Sequence, residues 1–122
     1  MTSIEQTYST IDIIIKAQKK ARNDHNYLLL MENGQALLEY IPNLISYMVE
    51  QEAEYRKFEA KLIDERDDTS KRYTSSYCET KSKATDFYKE WQKAKNFLEL
   101  IYELVNMSKA LGKGLNSEFN AS

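Results

Sequence analysis

Side chains suited to catalysis or metal binding are scarce in this sequence, which has one histidine, His25, and one cysteine, Cys78. A single histidine excludes a metal site built on two histidines, and the Glu-x-x-His pairs of di-iron bundles are absent. Lys71, Arg72 and Lys81 lie near Cys78 in the sequence, and their positive charges favour a thiolate. No histidine is close enough in sequence to serve that thiol as a base. We therefore expect His25 to lie in a helix cap or loop and Cys78 to be a small, partly buried residue.

Acidic residues and glycines do not form a recognisable site either. The acidic residues of the central segment spread around its predicted helix, which is typical of a solvated face: Glu50, Glu52, Glu54 and Glu59. Gly112 and Gly114 follow the last predicted helix and precede no other, so they do not form a phosphate-binding loop. The sequence thus predicts a protein that is not an enzyme and needs no cofactor or metal.

The charge balance gives no general attraction to nucleic acid or anionic membranes. The chain of 122 residues has 17 basic and 19 acidic side chains, a net charge of -2. A lone cysteine forms no intramolecular disulfide, and neither a secretory signal nor an apolar run of transmembrane length is present. We expect a cytoplasmic protein with no membrane partner.

The spacing of apolar residues predicts an all-α fold, and only three glycines and one proline interrupt it. A first helix is expected over residues 2–22, and a second begins near Asp24 or Asn26 and breaks near Gly34. Pro42 predicts a kink or a new helix start, followed by a helix to about residue 65. Residues 66–75 are polar and form the predicted tip of a helical hairpin. Thr69 or Ser70 could cap the helix that follows the tip, as an alternative to the Ser76 cap described next.

The longest predicted helix begins at Tyr77, after a capping box formed by Ser76 and Glu79, and ends at Leu111. Its apolar residues recur in steps of three and four, which indicates a coiled-coil-like antiparallel hairpin over residues 42–111. The N-terminal helix is expected to pack on the base of this hairpin. Residues 1–111 are then a single helical domain, and residues 112–122 are a flexible tail.

The two arms of the hairpin carry opposite charges, which favours their antiparallel register. Residues 50–68 contain eight acidic and four basic side chains, whereas residues 71–95 contain seven basic and three acidic ones. The apolar seam, meaning the row of apolar residues along which the two arms meet, is thin near the tip. Because so thin a seam buries too little surface to be stable alone, we expect a homo-oligomer, most simply a dimer. The residues expected to form the shared surface are Leu28, Leu30, Leu37, Ile41, Phe97, Ile101 and Leu104.

Nine tyrosines favour a protein-binding surface, because tyrosine is enriched at interface hot spots. The candidate contacts lie off the strict apolar seam: Tyr73, Tyr88, Lys71, Arg72 and Lys89. We interpret the chain first as a non-catalytic protein-binding protein. The alternative is an accessory factor of DNA replication or recombination. It would contact nucleic acid through the basic, tyrosine-containing face of the third long helix, the one predicted from Tyr77.

The segment from Tyr47 to Leu111, with its tip RDDTSKRYTSSYCETKSKA and its arm YKEWQKAKNFLELIYELV, resembles the small helical-hairpin proteins that bacteriophages and prophages encode. Genes for such proteins often lie among genes for phage DNA replication, recombination or defence evasion. The resemblance covers about half of the chain and leaves out the N-terminal 35 residues. It implies a phage or prophage origin and a helical hairpin fold.

Overall fold

The computed structural model describes the backbone of residues 3–121 and the side chains of residues 3–107 and 109. Five helices form this part of the chain: α1 (Ile4–Asn23), α2 (Tyr27–Leu38), α3 (Ile41–Asp64), α4 (Ser75–Lys83) and α5 (Asp86–Ala121). The predicted all-α class is confirmed. The residues group into two compact units, unit 1 up to Asn43 and from Phe97 onward, and unit 2 over Leu44–Asn96.

Unit 1 is built on α1, which begins at a capping box that pairs Ser3 with Gln6. This box fixes the start of the helix because each side chain satisfies a backbone amide of the other residue. The Tyr8 ring stacks on the Phe97 ring with centroids 4.5 Å apart, so the N-terminal helix packs on residues predicted to form the hairpin base. Aliphatic side chains complete this core: Ile11, Ile15, Leu30, Leu37, Leu98, Ile101 and Val105.

The connection between α1 and α2 lies where the sequence predicted the second helix to begin. The Asn26 side chain accepts a hydrogen bond from the Leu29 amide at 3.2 Å and caps α2. His25 adopts a left-handed backbone conformation with φ of 55° in the turn before this cap. The structure therefore places His25 in a loop, as the sequence indicated.

The break predicted near Gly34 is wrong, because α2 continues through this residue to Leu38. Gly34 is buried and none of the described glycines has a positive φ, so its role is close packing and not a turn. The chain breaks instead after Leu38. Pro42 then lies in the first turn of α3, where its missing amide costs no helical hydrogen bond, which confirms the new helix start and not the kink.

Unit 2 is an antiparallel helical hairpin, as predicted. The Tyr47 hydroxyl donates to Glu90 at 2.9 Å, and the Ser82 hydroxyl lies 3.1 Å from a Glu59 carboxylate oxygen. The earlier residue of α3, Tyr47, therefore pairs with the later residue of the second arm, Glu90, and the later residue Glu59 pairs with the earlier Ser82. This order shows that the two arms run antiparallel. Side chains buried in this thin core come from three helices: Leu44, Tyr55, Cys78, Ser82 and Ala94.

The second arm of the hairpin is divided, so the single helix predicted from Tyr77 is wrong. The Thr74 hydroxyl accepts from the Tyr77 amide at 3.1 Å and starts α4 two residues early. The Thr85 hydroxyl lies 3.3 Å from the Tyr88 amide and caps a new helix, α5. Threonine competes well at caps because its hydroxyl replaces a missing helical acceptor.

The C-terminal end of the last helix also differs from the prediction. The backbone of α5 stays helical through Gly112 and Gly114 as far as Ala121, where the sequence predicted an end at Leu111 and a flexible tail over residues 112–122. Glycine lowers helix stability by about 1 kcal/mol and commonly ends a helix by turning to positive φ. No described glycine does so.

Candidate interaction site at the hairpin tip

Asp67 organises the tip of the hairpin, which we define as residues 65–74. One oxygen of its carboxylate accepts three hydrogen bonds, from the Thr69 amide at 2.9 Å, the Thr69 hydroxyl at 2.7 Å and the Lys71 amide at 2.9 Å. Ser70, with φ of 64°, completes the reversal, and its amide donates to the Asp67 carbonyl. Asp is suited to this role because its short side chain reaches amides two to four residues ahead.

Electrostatics favour the ionised form of this carboxylate. The hydrogen bond from the Thr69 hydroxyl, followed by that from the Lys71 amide, lowers the pKa of Asp67 below its ordinary value. Both hydrogen bonds weaken if the carboxylate is protonated, because a neutral carboxyl group is a poorer acceptor. The conformation of the tip is therefore coupled to the charge of Asp67.

Two tyrosines form a stacked pair where the tip joins α4. The rings of Tyr73 and Tyr77 lie 4.6 Å apart between centroids and 20° from parallel. Tyr73 is half-buried and Tyr77 is 39% exposed, with the Lys81 ammonium 5.6 Å from the Tyr77 ring centroid. Partial burial raises the pKa of the Tyr73 phenol, and Tyr77 and the carboxylate of Glu65 add to this rise.

The predicted contacts divide between this pair and another part of unit 2. Lys71 and Arg72 lie in the tip, adjacent in sequence to Tyr73, and are exposed. Tyr88 is half-buried in α5, its hydroxyl accepts from the Gln92 side chain at 2.9 Å, and Lys89 beside it is exposed. The structure therefore stacks Tyr73 on Tyr77, whereas Tyr88 packs against the rings of Tyr55 and Trp91.

Those rings form a compact cluster of three aromatic side chains, Tyr55, Tyr88 and Trp91, which we call the ring cluster. Its centroids are 5.2 Å apart for Tyr55 and Tyr88, and 5.5 Å from Trp91 to each tyrosine. Tyr55 is only 3% exposed, and burial raises the pKa of its phenol. At these distances the rings touch each other, so the cluster is a packed core and leaves no space for a cation between them.

An open cleft of about 290 Å³ lies beside the ring cluster. Its wall includes Arg56, Glu59 and the ion pair between Lys83 and Glu79, whose charged atoms are 2.8 Å apart. The Trp91 indole nitrogen is buried and makes no hydrogen bond within the part of the chain that the structure describes. The cleft is small for a ligand pocket and its charges already pair with each other, so it is a weaker candidate than the tip.

Among the other aromatic side chains of the hairpin, Phe58, Tyr77 and Phe87 are each more than a third exposed. A regular apolar seam with steps of three and four residues would bury all three together with Tyr55, but a core with so few buried residues cannot enclose them. The sequence also missed the Tyr73–Tyr77 pair. Its signal was an aromatic side chain directly before the Thr74 cap, since an apolar residue at that position often packs against the start of the helix that follows.

The residues predicted for self-association lie largely inside unit 1. Leu30, Leu37 and Ile101 are fully buried, and Leu28 is 68% exposed. Partial burial is found for the remaining three: Ile41, Phe97 and Leu104. Most of this set therefore serves the core of one chain.

Comparison with protein-family models, with curated proteins and with solved structures finds no match for this chain. Within the described residues, no helix is long and apolar enough to cross a membrane, and no group of three or more metal-binding side chains converges. Cys78 is buried in unit 2, which is unfavourable for a nucleophile that must meet a substrate.

Proposed function

We propose that this protein is a non-catalytic, cytoplasmic protein-binding protein of phage or prophage origin that contacts a partner protein through the tip of its helical hairpin. The stacked pair of Tyr73 and Tyr77 carries the proposal, because it presents aromatic surface beside the exposed cations Lys71 and Arg72. Aromatic side chains within a polar rim have the composition of an interface hot spot.

The hydrogen bonds around Asp67 support the proposal further. They hold the backbone of residues 67–71 in one conformation, so a partner would not have to order this loop. Preorganisation saves part of the entropy that binding otherwise costs. The stacked rings likewise lose little side-chain freedom on binding, since each already rests on the other.

The test begins with the partner itself. A photoreactive phenylalanine analogue at position 77 is expected to cross-link one protein in the native host, which is then purified for calorimetry. Replacing Tyr73 and Tyr77 together with Ser should weaken its binding by roughly 30-fold or more, equivalent to about 2 kcal/mol. Tyr102→Ser is the matched control, because Tyr102 is exposed on α5 outside unit 2.

A second pair of variants separates the tip from the other predicted contacts. Lys89→Ala removes an exposed cation next to Tyr88 without touching the tip and should leave affinity unchanged. Equal binding by the tip variant and the wild type would refute the proposal. Loss of affinity in Lys89→Ala alone would move the partner surface to α5, where Tyr88 lies.

The alternative function is contact with nucleic acid. The exposed bases near the tyrosines favour it: Lys71, Arg72, Lys81, Lys83 and Lys89. However, Lys83 pairs with Glu79, and Asp67 and Asp68 lie within the same tip, so the local charge is mixed. Fluorescence anisotropy with single- and double-stranded DNA tests this alternative. Salt-dependent binding that weakens in a Lys71→Ala, Arg72→Ala variant would favour it over protein binding.

A further inference from the structure

Two arginines face each other across the tip of the hairpin. Arg66 and Arg72 form an isolated antiparallel β-bridge. The hydrogen bond beside this bridge runs from the Asp67 amide to the Lys71 carbonyl at 2.8 Å, so it joins the neighbours of the arginines. The arginines are therefore a non-hydrogen-bonded pair, whose side chains project from the same face with Cβ atoms about 4.5–5.5 Å apart. We call these two side chains the arginine pair.

The loop between the two arginines fixes their register. Ser70 has a φ of 64°, the left-handed conformation that ends a three-residue hairpin loop. Its amide donates to the Asp67 carbonyl at 3.0 Å, and the Asp67 carboxylate accepts from the amides of Thr69 and Lys71. A slip of one residue would break these hydrogen bonds and turn one arginine to the other face. The arginines are thus held opposite each other before any ligand binds.

No acidic side chain neutralises the arginine pair within the described residues. Both side chains are exposed, and neither guanidinium forms an ion pair or hydrogen bond with the part of the chain that the structure describes. Glu65 and Asp67 project from the opposite face, because successive side chains of a strand alternate. Burial is the main reason for the raised pKa of Tyr73, and the charges of Glu65 and Asp67 add to it, which agrees with a position on the tyrosine side.

The charge and shape of the arginine pair fit a phosphomonoester. Like charges directly opposite each other destabilise a β-bridge, and a bound anion removes this repulsion. A phosphomonoester has a charge of about −1.5 to −2 near neutral pH and three acceptor oxygens, so both guanidinium groups can donate to it. A single carboxylate has one charge and two oxygens, which one guanidinium already satisfies.

We propose that the arginine pair binds the phosphate group of a phosphorylated serine, threonine or tyrosine in the partner protein. This inference rests on the protein-binding function proposed above and names the chemical group that the tip recognises. The charges of the tip favour an isolated dianion over a nucleic-acid strand. Residues 65–74 contain three acidic and three basic side chains, a net charge of zero, so the acids would repel the successive phosphates of a strand.

The first test uses a small probe and the whole protein at physiological salt. N-acetyl-phosphoserine amide should shift the carbon-detected Nε and Cζ NMR signals of Arg66 and Arg72 until they saturate. Arg66→Gln and Arg72→Gln should each weaken this binding at least about fivefold. Lys71→Gln is the matched control, because it removes an equal charge from the same tip but from the opposite face, and it should bind like the wild type.

Two further probes distinguish the source of the negative charge. An acetylated Glu-Gly-Glu peptide carries two carboxylates, and a thymidine oligonucleotide without terminal phosphates carries phosphodiesters alone. Both should bind more weakly than phosphoserine. Tighter binding of the peptide would overturn the inference in favour of an acidic segment, and tighter binding of the oligonucleotide would overturn it in favour of nucleic acid. Absence of a saturable shift with phosphoserine, or an equal loss in Lys71→Gln, would also overturn it.

The cross-linked partner protein completes the test. Treating it with phosphatase should weaken its binding to the wild type at least about fivefold, and should not change its binding to the Arg66→Gln, Arg72→Gln double variant. A partner that needs Tyr73 and Tyr77 but is insensitive to phosphatase would overturn this inference and leave the proposed function intact. Circular dichroism checks that each variant keeps the helicity of the wild type.

Discussion

Replacing Tyr55 with Ala should destabilise unit 2 more than any other single aromatic truncation there. Tyr55 is 3% exposed, whereas Phe58, Tyr77 and Phe87 are each 38% to 40% exposed. Its ring also touches both other members of the ring cluster, at 5.2 Å and 5.5 Å. The substitution removes this contact surface and leaves a cavity next to the Trp91 ring.

The expected loss is about 3–5 kcal/mol, the usual cost of truncating a buried aromatic ring to Ala. The two ring contacts account for about 0.5–1.5 kcal/mol each of that loss. A chain of 122 residues has a total stability of about 6–18 kcal/mol, so unit 2 would lose a large part of what holds it folded. Tyr55→Phe keeps the ring and should cost less than about 1 kcal/mol.

Urea unfolding followed by tryptophan fluorescence measures this loss, because Trp91 is the single tryptophan and belongs to the ring cluster. Far-UV circular dichroism followed in parallel reports the helices of both units. Tyr102→Ala is the control, since Tyr102 is 46% exposed and its truncation should change stability by less than about 0.5 kcal/mol. A loss below about 1 kcal/mol in Tyr55→Ala would show that the ring cluster does not stabilise the hairpin.

Two further predictions concern the ends of the helices in unit 2. Thr85→Ala removes the hydroxyl that caps α5 and should cost about 1 kcal/mol in thermal unfolding, whereas Thr85→Ser should restore it; equal stability of all three proteins would contradict the capping role. The lowered pKa of Asp67 means that its contribution to stability is present above its unfolded pKa of about 3.9 and is lost as the pH falls through the folded value. A carboxyl NMR titration should therefore show an Asp67 midpoint below the ordinary pKa of an aspartate, and Thr69→Val should raise it. An unchanged midpoint in Thr69→Val would exclude the Thr69 hydroxyl as the main cause.

The sequence alone determined the class of fold and the main reversal of the chain. Apolar spacing of three and four residues predicted helices on both sides of a polar stretch, and α3 and α4 flank residues 65–74, within one residue of the predicted tip. Pro42 marked the start of α3 because its backbone has no amide to donate. These features are local, so neighbouring residues suffice to specify them.

The tertiary structure decided what local patterns left open. Gly34 is buried and stays helical within α2, and its burial depends on residues outside its own segment. Tyr55 and Phe58 are three residues apart and fit the helical apolar spacing equally well, yet only the packing of α3, α4 and α5 within unit 2 decides that Tyr55 is enclosed and Phe58 is exposed.

The candidate site shows the same division. Sequence reasoning selected Tyr73, Lys71 and Arg72 from their composition, but it also selected Tyr88, whose ring packs on Tyr55 and Trp91. Composition cannot separate a tyrosine that faces a partner from one that fills a core. That difference depends on which rings the folded chain brings within contact distance, and Tyr55, 33 positions before Tyr88 in the sequence, supplies one of the two ring contacts of Tyr88.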